Sequence, residues 1–276
     1  MSYEVLPYEI WRQIVDITGG SSVRDAATLA LVSRDFEDWV QPFLYATIVY
    51  YKEGTGWPLK VYSLGWFAVK GAHLRNLLWG EGLQMDLLCS ILEICTRLEN
   101  LAVWVYVHET NISVLRPVLS KLSLRQLSIN LFSLFGTKKF GAVEAQDPMF
   151  RSITHLDVIN DEDHLNWDDL IGLQHLPRLT HLGLQYRVNP NATDGILKHC
   201  KDVEVVVVVQ LSGMNQWDHT QDPDTSPGEI PQDARLLKPP LRTVEEWKAG
   251  AIGEMDIWQK AEEVIARRRK QGSWLN

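Results

Sequence analysis

The feature that most constrains this chain is a short pattern, apolar-x-x-apolar-x-apolar, that returns through its middle. It occurs as Leu74-Leu77-Trp79, Leu98-Leu101-Val103, Leu124-Leu127-Ile129, Ile153-Leu156-Val158 and Leu179-Leu182-Leu184, and more weakly as Cys200-Val203-Val205. The starts are 24, 26, 29, 26 and 21 residues apart. Each copy fits a short strand whose alternate residues point to alternate faces. The segments between copies carry helical spacing. Met85 to Thr96 has Leu87, Leu88, Ile91, Leu92 and Cys95; the next has Val114, Leu115, Val118, Leu119 and Leu122 around Pro117. Leu165 to Leu176 and Thr193 to His199 repeat the theme, with Thr193 as a cap. Strand alternating with helix at this period predicts an α/β fold with a parallel sheet and helices on one side. No unit can bury its apolar side alone, so stacking of neighbours supplies the core.

These periods lie in or near the leucine-rich-repeat range of roughly 20–29 residues. The asparagine of that consensus is mostly missing, and only Asn130 and Asn160 stand near its place. We therefore expect residues 46–211 to form an irregular leucine-rich-repeat-like solenoid with variable helices on its convex side. A doubly wound α/β enzyme fits less well. It would have longer apolar strands and a glycine-rich first turn, and neither GxGxxG nor GxxxxGK[ST] occurs. GxSxG, HExxH and kinase signatures are missing too, so no catalytic residue is assigned and no enzyme activity is expected.

Three cysteines, Cys89, Cys95 and Cys200, give neither a disulfide framework nor zinc-type pairs and read as buried thiols in a reducing compartment. A net charge of -8 argues against a partner gripped by its phosphates. The start has no basic stretch followed by an apolar run, and the longest apolar run, Val205 to Val209, suits a buried strand rather than a membrane span. The expectation is a protein of the cytoplasm, the nucleus or both, without nucleic-acid or membrane partners and without a cofactor. Asn111-Ile112-Ser113 and Asn191-Ala192-Thr193 match glycosylation acceptors only by coincidence in that setting.

Residues 1–45 read as three short helices. Leu6-Pro7 opens the first, Ile10, Trp11, Ile14 and Val15 line one face, and Gly19-Gly20 ends it. Asp25 starts the second, with Ala26, Leu29, Ala30 and Val32. Ser33 caps the third, with Phe36, Trp39 and Val40, and Pro42 stops it. Leu6-Pro7-x-Glu9-Ile10-x3-Ile14, Leu29-x2-Val32-Ser33-Arg34-x-Phe36 and Pro42-x-Leu44-Tyr45 follow in order. In these motifs the segment resembles the F-box, in the form found in fungal F-box proteins with degenerate leucine-rich repeats. The resemblance implies docking on a Skp-type adaptor of a cullin ubiquitin ligase, with Leu6, Pro7, Ile10, Ile14, Leu29, Val32 and Phe36 building or supporting the dock. It implies a non-enzymatic adaptor that brings an unidentified target protein to the ligase. The alternative is a repeat scaffold without a ubiquitin role, whose three helices merely cap the solenoid.

The residues between the apolar ladder positions would face the concave side. Aligned by repeat, one row is Asn76, Asn100, Gln126, His155, His181 and Asp202; a second is Leu78, Ala102, Ser128, Asp157, Gly183 and Glu204; a third is Gly80, Trp104, Asn130, Ile159, Gln185 and Val206. Trp104, Asn130, His155, Asp157, His181 and Gln185 are the candidates for target contact. His155 and His181 should lie on adjacent strands, but no carboxylate or thiol completes a ligand set, so no metal site is assigned. The run Asp161-Glu162-Asp163-His164 reads as a solvated loop. Residues 212–242, with Pro223, Pro227, Pro231, Pro239 and Pro240, read as a loop or linker. In residues 243–276 a capping box at Thr243 to Glu246 opens a stripe of Trp247, Ala251, Met255, Trp258, Ala261 and Ile265, interrupted near Gly250 and Gly253. This stripe should pack back on the solenoid as its C-terminal cover, and Arg267 to Lys270 suit a helix C-terminus.

Overall fold

A computed structural model describes residues 6–50, 63–80, 84–105, 111–159, 165–185, 188–209, 233–237 and 243–270. Its frame is one sheet of eight strands, all parallel, in which spatial order equals chain order. The strands are β1 (Thr47–Tyr50), β2 (Asn76–Trp79), β3 (Asn100–Val103), β4 (Gln126–Ile129), β5 (His155–Val158), β6 (His181–Gln185), β7 (Val205–Val209) and β8 (Leu236–Leu237). The expected α/β class and solenoid-like succession of strands and helices are present.

Register explains the period. Leu77, Leu101, Leu127, Leu156, Leu182 and Val206 are paired in one line across the sheet. They and Trp79, Val103, Ile129, Val158, Leu184 and Val208 belong to one core cluster. The inter-strand helices close it. These are α4 (Leu64–Lys70), α5 (Met85–Ile94), α6 (Arg116–Leu119), α7 (Leu131–Phe135), α8 (Ala142–Ala145), α9 (Trp167–Leu170) and α10 (Pro190–His199), together with short 3₁₀ turns. Among the described inter-strand helices, α5 and α10 reach ten residues, and the other connections are broken into shorter helices and 3₁₀ turns.

Several expectations need correction. The sixth repeat is Val203-Val206-Val208, three residues beyond the one expected, because His181 pairs with Val205. The five-valine strand is apolar on both faces, so alternation could not fix its register. Asp202 and Glu204 therefore leave the rows, and Val205 and Val207 replace them. Val206 leaves the third row and joins the inward ladder. Thr193 lies inside α10, and Asn189 caps that helix by accepting from the Asn191 amide at 3.0 Å. Within the expected loop 212–242, Leu236–Leu237 extends the sheet beside β7. All five of that loop's prolines, the run 161–164, Asn160 and the side chain of Gln185 lie outside the described residues.

At the N-terminus stand α1 (Tyr8–Ser21), α2 (Val23–Ala30) and α3 (Arg34–Leu44). α1 runs through Gly19 and Gly20 instead of stopping there. A Cβ on Gly19 would lie 3.1 Å from Phe43 and 3.3 Å from Val40, so that glycine serves close packing. Ser22, rather than Asp25, opens α2, accepting from the Asp25 amide at 3.0 Å. α3 continues past Pro42 to Leu44, and the proline costs it one backbone hydrogen bond, the one that an N–H at that position would donate to the Asp38 carbonyl.

The C-terminal stripe forms two helices, α11 (Val244–Ala251) and α12 (Ile257–Lys270). They cover the second face of the sheet. Trp247 packs with Leu78 and Ala102, and Ile257, Trp258, Ala261, Val264 and Ile265 pack with Val205, Val207 and Leu237. The molecule thus has three layers, helices on both faces of the sheet. Met255, expected in the stripe, lies exposed in the link between the two helices.

Burial settles the thiols. Desolvation pushes Cys95 up to about 12 and Cys200 up to about 11. Cys89 is half-buried, not buried as expected, and is raised by burial and by the charges of Asp86 and Glu93. In the folded chain at pH 8, a disulfide thiol reagent is expected to label Cys89 slowly and Cys95 and Cys200 only after denaturant is added, because the thiolate is the reacting species. Rapid labelling of all three in the folded state would contradict this burial.

Candidate functional site

Two surfaces are candidates: the outside of α1–α3 and the second face of the sheet.

In the three-helix module, Val15, Ala26, Trp39 and Val40 form a small core of their own, with Leu29, Ala30, Phe36, Phe43 and Leu44 packed around it. The aromatic rings reinforce it: Tyr8 meets Trp39 edge-on at 4.8 Å, and Phe36 stacks on Trp39 at 5.4 Å. Ser33 caps α3 by accepting from the Phe36 amide at 3.2 Å, which fixes that ring. What this core cannot hold remains outside. Leu6, Pro7, Ile10, Ile14 and Val32 are exposed, whereas Leu29 and Phe36 are half-buried supports. Among the described residues, nine of the fifteen exposed large hydrophobic side chains fall between Leu6 and Val32. Tyr8, Trp11, Ile17, Val23 and Leu31 were not singled out from the sequence, although Trp11 had been placed on the apolar face of α1. Leu31, 88 % exposed, follows α2 directly and could have been read as apolar with no helix face left to bury it.

On the second face the register puts Thr47, Asn76, Asn100, Gln126, His155, His181 and Val205 in one row. The adjoining row is Val49, Leu78, Ala102, Ser128, Asp157, Gly183 and Val207. This face is covered rather than open: Asn76, His155 and His181 hold the chain's own C-terminal helices. Asn76 donates from Nδ2 to the Ala251 carbonyl at 2.9 Å. His181 Nε2 lies 3.0 Å from Glu262 Oε1. His155 and His181 stack with centroids 4.0 Å apart, and Trp258 meets both rings edge-on. Each ring's Nδ1 sits on the hydroxyl of the preceding threonine, Thr154 or Thr180. The chemistry is that of a helix-docking surface.

Trp104, Ser128 and Asp157 form a relay. Trp104 Nε1 donates to Ser128 Oγ at 2.8 Å, and Ser128 Oγ donates to Asp157 Oδ2 at 2.7 Å. Asp157 is 3 % exposed. Gly183 makes room for it, because a Cβ there would lie 2.6 Å from Asp157 Oδ1 and 3.1 Å from Trp258. A shallow cleft remains between Trp247 of α11 and Trp258 of α12, lined also by Gln126, Ser128, His155 and Asp157. The structure therefore brings together Trp104, His155, Asp157 and His181 but not Asn130. Asn130 is buried and caps α7, accepting from the Ser133 amide at 3.0 Å. Ser128→Ala removes the shared partner of an indole N–H and a buried carboxylate. It is expected to cost about 1–3 kcal/mol in urea unfolding; a variant as stable as the original would show that the relay is incidental.

Among the described residues, no group of three or more His, Cys, Asp or Glu side chains is placed to hold a metal ion, and no helix is long and apolar enough to cross a membrane. No protein-family model matches the chain, and no curated protein matches it.

Proposed function

We propose that the chain is a non-enzymatic substrate-recognition adaptor of a Skp–cullin–F-box ubiquitin ligase. In this reading α1–α3 are its F-box, docking a Skp-type adaptor, and the sheet with its helices is an irregular leucine-rich-repeat solenoid that receives a target protein. One observation carries the reading: the concentration of exposed apolar side chains on a module that already has its own core. Exposed apolar side chains gathered on one small module are the usual mark of a partner site. A mere cap would instead turn those side chains onto the sheet edge. The module meets the helical layer through Tyr45, whose ring lies edge-on to Trp66 of α4 at 5.4 Å. The sequence motifs and the exposed positions agree, since five of the seven dock residues carried over from the F-box lie on the outside.

The test is direct binding of the purified, folded chain to a purified Skp-type adaptor by calorimetry. Association that buries the α1–α3 surface is the expected result. No binding by the folded, intact chain would leave a repeat scaffold without a ubiquitin role.

A further inference from the structure

The two helices on the second face are held unequally. α12 buries Ile257, Trp258, Ala261, Val264, Ile265 and Arg268. Arg268 also donates to the Leu236 carbonyl at 2.8 Å, and Glu262 meets His181. α11 buries Trp247 alone. Among the described residues its polar ties to the sheet all end on one atom, the Ala251 carbonyl, which accepts from Asn76 Nδ2 at 2.9 Å and from Thr47 Oγ1 at 3.4 Å. A half-exposed pair, Lys260 with Glu246 at 3.3 Å, joins α11 to α12 at the rim. Beyond Ala251 the link passes through Gly253, whose φ of 84° suits a turn that glycine makes without strain, and both Ile252 and Met255 there are exposed.

We infer that α11 is a releasable cover, and that the surface beneath it takes an amphipathic helix of the target protein bearing a central aromatic anchor. The present occupant defines the partner's chemistry. Val244, Trp247 and Ala251, spaced three and four residues apart, lie on Val49, Leu78, Ala102 and Trp104. Asn76 receives the helix's last carbonyl. This is recognition of a helix by a groove, with one large anchor in a small-residue floor. The floor is held ready when α11 leaves, because Trp104 is fixed by Ser128 and Asp157. α12 stays, because its departure would expose the valine face of β7. The target role rests on the adaptor reading; the release of α11 does not.

Hydrogen exchange on the full chain tests the first part. Amides of α11 are expected to exchange about tenfold or more faster than those of α12, as a separate low-stability unit. A fluorescent peptide of residues 243–253 with blocked ends tests the second. It is expected to bind the full-length Trp247→Ala chain about tenfold more tightly than the unaltered chain, since the internal competitor is weakened. Leu78→Asp in that background, or alanine for tryptophan in the peptide, should abolish binding. If Trp247→Ala fails to fold, Val244→Asp loosens α11 without touching the floor beneath it and serves instead. Equal protection of α11 and α12 overturns the cover. A folded, loosened chain that does not bind the peptide at millimolar concentration overturns the groove. Neither readout uses a Skp-type adaptor, so each outcome is independent of the dock on α1–α3.

Discussion

Trp258→Ala is expected to destabilise the chain by about 3–5 kcal/mol, the usual loss when a buried tryptophan is cut back to its Cβ. The indole is 3 % exposed and lies among Ile257, Ala261, Val264 and Ile265 of its own helix and Val205 and Val207 of the sheet. It also abuts both histidine rings and the backbone gap at Gly183. A sheet backbone held by ladders on both sides cannot close such a hole. For a chain of this size the loss corresponds to a fall in Tm of roughly 10 °C. Urea unfolding and a thermal scan measure it. A loss below about 1 kcal/mol, within the range of ordinary surface changes, would show that α12 is not part of the core.

The second large effect belongs to the dock. Val32→Asp and Leu31→Asp place a carboxylate on the surface that the proposed adaptor role would bury against a Skp-type adaptor. Val32 is 63 % exposed and Leu31 88 % exposed, so neither change disturbs the folded chain by more than about 0.5 kcal/mol. Burial of the new charge in a complex should cost at least about 2 kcal/mol, or roughly thirtyfold or more in Kd. The contrast is the point: Phe36→Ala strikes a half-buried support and should lower both stability and binding. Calorimetry of binding beside thermal melts separates the two classes. Unchanged affinity in both aspartate variants would move the dock away from the α2–α3 turn.

The fold was legible where burial is one-sided. Leu77, Leu101, Leu127, Leu156 and Leu182 repeat because each faces the same core while its neighbours face the other way. Legibility failed at Val205–Val209, where both faces are covered and every residue may be valine. The second face misled for a related reason. Asn76 read as open concave surface, and His181 and Asp157 as recognition groups, because they are polar, yet all three are buried polar groups with partners on residues far along the chain. A periodic pattern reports which side of a strand is apolar. It does not report that a helix 175 residues further on supplies the carbonyl for Asn76. The apolar stripe from Trp247 to Ile265 was visible; its landing place was not.

That return of α11 to β1 and β2 matters for how the chain is made. Strands added in chain order, each beside the one before it, let the sheet be laid down vectorially as the polypeptide leaves the ribosome. The helices between strands travel with it, so the first face closes during synthesis. The second face cannot. Leu78 and Ala102, and later Val205 and Val207, stay uncovered until residues 243–270 exist to cover them. The nascent chain therefore carries an apolar sheet surface from the completion of β3 onward, and the chaperone demand of that surface should fall abruptly when α11 and α12 emerge.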